Sequence, residues 1–416
     1  MTKHILIILS DLHLSAWQDA KSGHVLAPEG FHYDVAFGHF VDDLLERVKS
    51  EGAECEILML GDFLDFLHTK VPLSEKDFLT TTEASSLQKL QAILRAHPLF
   101  FEALKRFVSK GFRLRVVPGN HDIDLMRPAV QQVLKEKIET DSLNHIHFHS
   151  WIHYIPGVLY AEHGHQYHDI MAYSTLLTPY RPKKENELEL TVGAYFDLYL
   201  FHLIERLEPL TENINSPLGY LLSVYRKQPL KLITTSPVLC RFFYAVIRQV
   251  AYRSSRQFRI TRQRYQESTL SGYAANSGLS YSTYVALDQL AEVYNSKMVK
   301  RLLSHALAKN RGDPIKTGYL YLKALTISKI LNLNDKAVPF YVFGHSHQPT
   351  KVAMDGPPDH MYLNAGSWVS SSYPGFPGDR SLFPFVEIGW ENHKRPTATL
   401  MQWDETQQRP VSLDKT

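Results

Sequence analysis

The 416-residue chain holds only two cysteines, Cys55 and Cys240. They lie far apart, so a disulfide framework is excluded and a reducing, cytoplasmic compartment is expected. Long apolar runs are missing as well. No stretch of about 18 uninterrupted apolar residues occurs, so no membrane-spanning helix is expected. The best candidate, residues 190–207, is broken by Asp197, His202 and Glu205. The apolar run in the opening "MTKHILIILS" is too short for a cleaved secretory leader and reads as a buried strand. Neither sign of charge dominates: the net charge is +2, which argues against nucleic-acid binding through overall charge alone. Internal repeats and low-complexity segments are absent.

One absence is local. Between Asn213 and Gln266 there is no Asp or Glu, but there are ten basic residues: Arg226, Lys227, Lys231, Arg241, Arg248, Arg253, Arg256, Arg259, Arg262 and Arg264. On a helical projection Arg241, Arg248 and Arg259 share one edge, and Leu239, Phe243, Val246, Ile247 and Val250 lie opposite. Such a segment suits a helix lying on an anionic membrane, a helix on phosphate backbones, or a helix packing its apolar face into the protein.

What the chain has in quantity is histidine, 21 residues, and their positions carry the chemistry. The N-terminal region alternates strands and helices. "HILIILSD" and "EILMLGD" are continuous apolar runs, the pattern of strands covered on both faces. Residues 34–49 place Phe37, Phe40, Val41, Leu44, Leu45 and Val48 at helical spacing, with Asp34 as the expected N-cap. Pro98 opens a helix over 98–109, and "FRLRVVPGN" is a third strand. "WIHYIPGVLYAEHG" forms a hairpin around Pro156-Gly157. From 166 to 337 strand-like runs thin out and the texture becomes helical. "PFYVFG" and "MYLNAGSW" then resume the strand pattern. An α/β core, 1–165 and 338–416, interrupted by a helical insertion or cap, 166–337, is the expected organisation.

Each core strand ends in similar chemistry. The first ends in Asp11 and His13, the second in Asp62 and Asp65, and the third in Asn120 and His121. The hairpin ends in His163 and the late strand in His345 and His347. Ligands gather at the carboxyl ends of parallel strands, so these residues form one candidate cluster. Without thiolate it is not a cysteine-type structural zinc site. Imidazole, carboxylate and amide oxygen together suit Mn²⁺, Fe or Zn²⁺ better than Mg²⁺. Seven donors, with His121 and Asp65 to spare, exceed what one catalytic ion with an open position takes; they suit two ions sharing a carboxylate. Two divalent ions outweigh two carboxylates and a bridging hydroxide, so the site stays positive toward a phosphoryl group. A decoy stands nearby: His145, His147 and His149 in "HIHFHS" alternate without an accompanying acid and read as a solvated strand face.

The elements "DLH", "GDFLD", "GNHD", "EHGH" and "GHSH", in that order, resemble the calcineurin-like metallophosphoesterase superfamily across about 1–165 and 338–404. The resemblance implies a four-layer α/β/β/α sandwich of two mixed sheets with a large helical insertion. It implies that Asp11, His13, Asp62 and His347 hold one ion. Asp62, Asn120, His163 and His345 hold the other, with Asp62 bridging. His121 then acts beside the ions as acid or transition-state stabiliser, oriented by Asp65. The implied cofactors are two divalent transition-metal ions, Mn²⁺ foremost, with Fe or Zn²⁺ as alternatives. The implied activity is hydrolysis of a phosphomonoester, phosphodiester or pyrophosphate by a metal-bridging hydroxide. The insertion is placed similarly to the helical lid of UDP-diacylglucosamine pyrophosphatases, which suggests a lipid-linked or bulky substrate. With the basic stretch 213–266, this adds an anionic membrane surface or lipid-like substrate as partner, and peripheral attachment at the inner face of the membrane. The alternatives are a nuclease using that stretch on DNA or RNA, or a partner-binding scaffold. Asp122 fits either support of the site or a cap. His165 and His168 are expected at the cavity rim.

Overall fold

The computed structural model describes residues 2–18, 24–26, 31–71, 80–139, 144–168, 170–181, 184–201, 229–290, 318–356, 359–369, 383–391 and 394–414. Two compact units emerge. The first comprises Met1–Gly164, Lys184–Glu187 and Ala324–Thr416, and the second His165–Lys183 and Leu188–Lys323.

The first unit runs β1 (Lys3–Leu9), α1 (Asp34–Glu51), β2 (Glu54–Leu60), α2 (Glu83–Ala96), α3 (Pro98–Ser109), β3 (Arg113–Val117), α4 (Pro128–Ile138), β4 (Ile146–Phe148), β5 (His153–Ile155) and β6 (Leu159–Ala161). The second unit contains α5 (Pro229–Arg253), α6 (Arg256–Arg264) and α7 (Tyr281–Leu290). Helix α8 (Tyr319–Leu333) enters the first unit at Ala324. There it is followed by β7 (Phe340–Phe343), β8 (Thr350–Ala353), β9 (Met361–Asn364), β10 (Pro384–Glu391), β11 (Thr397–Asp404) and β12 (Arg409–Ser412).

Two mixed sheets result. The larger has the order β12-β11-β10-β1-β2-β3-β4, and the smaller β8-β9-β7-β6-β5. Strands β1 to β4 are mutually parallel, and β10 joins β1 antiparallel, with Ile8 opposite Val386. The continuous apolar runs have a simple cause. Ile5, Ile7, Leu9, Ile57, Met59, Leu114 and Val116 enter one core beneath α1–α4. Their alternates Leu6, Ile8, Leu58, Leu60 and Val117 enter a second core against Leu159, Ala161, Val342 and Leu363 of the smaller sheet. On that sheet's outer face Ser328 of α8 meets His360 at 3.0 Å. The layers are therefore α/β/β/α.

Helix α1 begins at Asp34 itself. Tyr33 is its cap residue without a side-chain cap bond, while the Asp34 carboxylate lies 3.1 Å from His97 Nδ1. The sequence expectation of an Asp34 N-cap is corrected: a cross-element partner takes the carboxylate away from the helix end. The Pro98 start holds as expected.

The second unit is tied by buried ion pairs. Glu189 accepts from Arg253 (2.7 Å), Gln249 (2.6 Å) and both the backbone and the hydroxyl of Ser174. Arg262 pairs with Asp288 at 2.8 Å. Two of the ten basic residues are thus structural. Residues 213–228 of the basic stretch, with Arg226 and Lys227, lie outside the described residues, as do the side chains of Lys231, Leu239 and Val250. Among the described residues no helix is long and apolar enough to cross a membrane.

Candidate metal centre

The residues expected at the strand ends share an uncommon backbone. Asp11 (φ 54°), His13 (50°), Asp62 (52°), His345 (65°) and His347 (58°) all lie in the left-handed region. Each such residue costs on the order of 1–3 kcal/mol and persists only where its surroundings impose it. Here the surroundings are a network between loops. His13 N donates to Asp62 O (2.8 Å), Asp65 N to Leu14 O (2.8 Å), and Phe66 N to His121 O (3.0 Å). His345 N donates to Asp11 Oδ2 (2.9 Å), His121 N to Asp62 Oδ1 (2.7 Å), and the Ser367 hydroxyl to Asp11 O (2.6 Å). Each large buried side chain beneath β1–β3 contributes about 1.5–3 kcal/mol, enough to hold these turns.

Three glycines allow the approach. A Cβ at Gly61 would collide with the His163 ring, one at Gly119 with the Asp62 carboxylate, and one at Gly344 with Ser10 and Asp11. "GD", "GN" and "GH" are therefore packing requirements of the residues they precede or face.

The donors converge. His13 Nε2 lies 3.2 Å from His347 Nε2, which lies 3.3 Å from Asp11 Oδ1. Asp62 Oδ2 lies 3.1 Å from His163 Nε2, and Asp62, His163 and His345 place one donor each within 4.8 Å of one another. Asp62 also groups with His13 and His121, so it adjoins both clusters. Asn120 is buried at the end of β3. Ions bound at about 2.0–2.2 Å set neighbouring donors about 3.0–3.5 Å apart, the spacing found here. The ring orientations agree. His163 Nδ1 is 2.9 Å from Leu60 O and His13 Nδ1 is 3.1 Å from Asp65 Oδ2. Each Nδ1–H donates outward, which turns the Nε2 lone pairs into the cluster.

The electrostatics also favour cations. Burial alone would raise the Asp62 and Asp11 carboxyls, but nearby imidazoles outweigh it. His163 and His121 hold Asp62 well below the carboxylate range, and His163 and His347 hold Asp11 below it. Burial would lower His163, yet Asp62 and Asp11 push it up to about 9. The carboxylate pair thus stabilises positive charge placed between them. Asp122, pushed up to about 7 by burial and by Asp62, supports from behind. It accepts from the Phe63 and Gly119 amides, which decides its role in favour of loop support.

Asp65 anchors three rings through one oxygen: His68 Nδ1 at 2.7 Å, and His13 and His121 Nδ1 at 3.1 Å each. His68 was not among the sequence candidates. Its only signal was the Asp-x-x-His spacing in "DFLH", which a one-turn loop converts to contact.

The "HIHFHS" histidines separate. His147 lies in β4, while the His149 ring sits 4.7 Å from that of buried His153. His149 therefore faces a protein partner, which departs from the expected solvated face. His165 is buried within the second unit.

No family model and no curated protein matches the chain. Two solved structures resemble it distantly. Wild-type Vps29 complexed with Zn²⁺ from Entamoeba histolytica has a TM-score of 0.26 and 9% identity, covering 98% of this chain and 96% of that one. The phosphopantetheinyl hydrolase of Mycobacterium tuberculosis has a TM-score of 0.23 and 11% identity, covering 88% and 90%.

Proposed function

We propose that the chain is a metal-dependent phosphoesterase of the calcineurin-like type. The observation carrying this reading is Asp62, a buried carboxylate adjoining both His13 and the His163–His345 pair. Asp11, His13, Asp62 and His347 would hold one divalent ion, and Asp62, Asn120, His163 and His345 a second. Bound there, divalent ions supply Lewis acidity and acidify water toward neutrality. The remaining work falls to side chains. Asp65 Oδ2 lies 3.1 Å from His121 Nδ1 as an ion-pair partner, which orients the ring and leaves Nε2 to carry the exchanging proton. His121 is thereby suited to protonate a departing alkoxide. Asp65 also steadies His13, so one carboxylate keeps an acid and a ligand in register. Mn²⁺ is the proposed metal, and the bond cleaved is a phosphomonoester, phosphodiester or pyrophosphate linkage on a lipid-linked or bulky substrate.

The test is a panel of chromogenic phosphomonoesters and diesters, nucleoside-diphosphate conjugates and phospholipids, assayed with Mn²⁺ alongside elemental analysis. Turnover with about two ions per chain is expected. Metal-replete protein that hydrolyses none of these overturns the reading. Turnover confined to DNA or RNA would establish a nuclease instead.

A further inference from the structure

Helix α5 presents a face whose composition departs from the sequence projection. Phe242 and Val246 are buried, but Phe243 (49% exposed), Tyr244 (68%) and Ile247 (66%) face outward. At about 100° per residue, Phe243 and Ile247 occupy one edge of the outward arc, Tyr244 its middle, and Arg248 with Arg241 the other edge. Both arginines are exposed. The helix thus shows solvent an apolar edge and a basic edge joined by a tyrosine, not an apolar stripe folded inward. Arg256, Arg259 and Arg264 of α6 are exposed as well. Arg253 and Arg262 are committed to Glu189 and Asp288.

We infer that this face of α5 docks on an anionic phospholipid surface, with Phe243 and Ile247 at the acyl boundary and Arg241 and Arg248 among the headgroups. An interfacial helix has this division, and an aromatic with a polar tip sits between its two edges. Charge selects the partner. Among the described residues Arg241 and Arg248 are exposed and neither is ion-paired, so an anionic leaflet attracts the face while a second copy of the same face is repelled. Phosphate backbones would employ the arginines but leave two large aliphatic and aromatic side chains in water.

Exposed Cys240 lies within the outward arc, while the Cys55 thiol is buried and pushed up to about 12, so it resists alkylation. The full-length chain carrying a solvatochromic thiol dye at Cys240 is titrated with phosphatidylcholine vesicles, with and without phosphatidylglycerol. A blue shift and co-sedimentation are expected with phosphatidylglycerol only, both weakening as salt rises. Arg241→Glu with Arg248→Glu lowers partitioning by about 10- to 100-fold. Phe243→Ser with Ile247→Ser abolishes the blue shift at low salt. Thermal transitions and hydrolysis of a small chromogenic diester stay at wild-type values in both variants, which separates this inference from the catalytic reading. No response to phosphatidylglycerol at low salt overturns the inference. So does a lipid-independent shift that grows with protein concentration, which assigns the face to self-association. A shift produced by a short duplex but not by vesicles overturns it in favour of nucleic acid.

Discussion

The first unit buries Asp11, Asp62 and Asp65 among imidazoles and backbone amides, whereas the second buries Glu189 and Asp288 against guanidinium groups. Among the described residues, the ion-pair partners of the three aspartates are all histidines. Glu189 and Asp288 have Arg253 and Arg262. The difference is chemical. A guanidinium is always charged and completes its carboxylate in place. An imidazole can be neutral, and then the carboxylate charge remains for a cation to meet. One unit uses buried charge as a closed structural joint. The other holds it open to chemistry, at the expense of strained turns.

Changes to Asp62 should break that contrast most completely. Asp62→Asn removes the charge adjoining both donor clusters, and both metal content and turnover should be lost. Elemental analysis and the diester assay check this; retention of two ions would show that Asp62 does not join the clusters.

His121→Ala should leave metal content intact and lower turnover by about 10²–10⁴-fold. The loss should shrink for substrates with good leaving groups, which need less protonation. His68→Gln keeps a donor for Asp65 and should cost far less; a comparable loss would make His68 a participant in its own right.

In the second unit Arg253→Met leaves Glu189 buried without its cation and should cost about 3–5 kcal/mol of stability. Metal content and chemistry on a small substrate should not change. Denaturant titration gives the cost, and a change in metal content would erase the distinction between the two units.

The smallest effect concerns His149 and His153. Burial holds the His153 imidazole well below its ordinary value, and burial with Arg115 pushes His149 down to about 4. The folded state therefore prefers both rings neutral, while the unfolded chain takes up protons near pH 6.5. Stability from this pair is complete above about pH 6.5 and lost as pH falls toward 4. His149→Gln with His153→Phe should flatten that slope in ion-free protein, followed by urea midpoints across pH.

Much of the site was legible because strand ends are local events. An apolar run that stops at Asp11, Asp62 or Asn120 announces both strand and donor, and Gly61, Gly119 and Gly344 beside them announce crowding. The grouping of Asp11 with His13 and His347, and of Asp62 with His163 and His345, each within 4.8 Å, then follows from strands lying side by side. His68 was not legible, since it follows a turn and not a strand. The basic segment misled in an instructive way. Counting charge within a window ignored acids outside it, yet Arg253 finds Glu189 and Arg262 finds Asp288 across the fold. Helical projection likewise separated apolar from basic residues on α5 but could not say which side the protein covers. Phe242 and Val246 won that place over Phe243 and Ile247.

Strand β1 lies in the interior of the larger sheet, between β2 and β10, and its Ile8 waits for Val386. On the ribosome that neighbour emerges 378 residues later (386 − 8). At about 5–20 residues per second the wait lasts on the order of tens of seconds. Throughout it "HILIIL" presents an unpaired apolar edge, the surface that recruits other nascent strands. Yield in the cell should therefore follow elongation speed and the supply of holding chaperones more closely than it follows the stability of the finished protein.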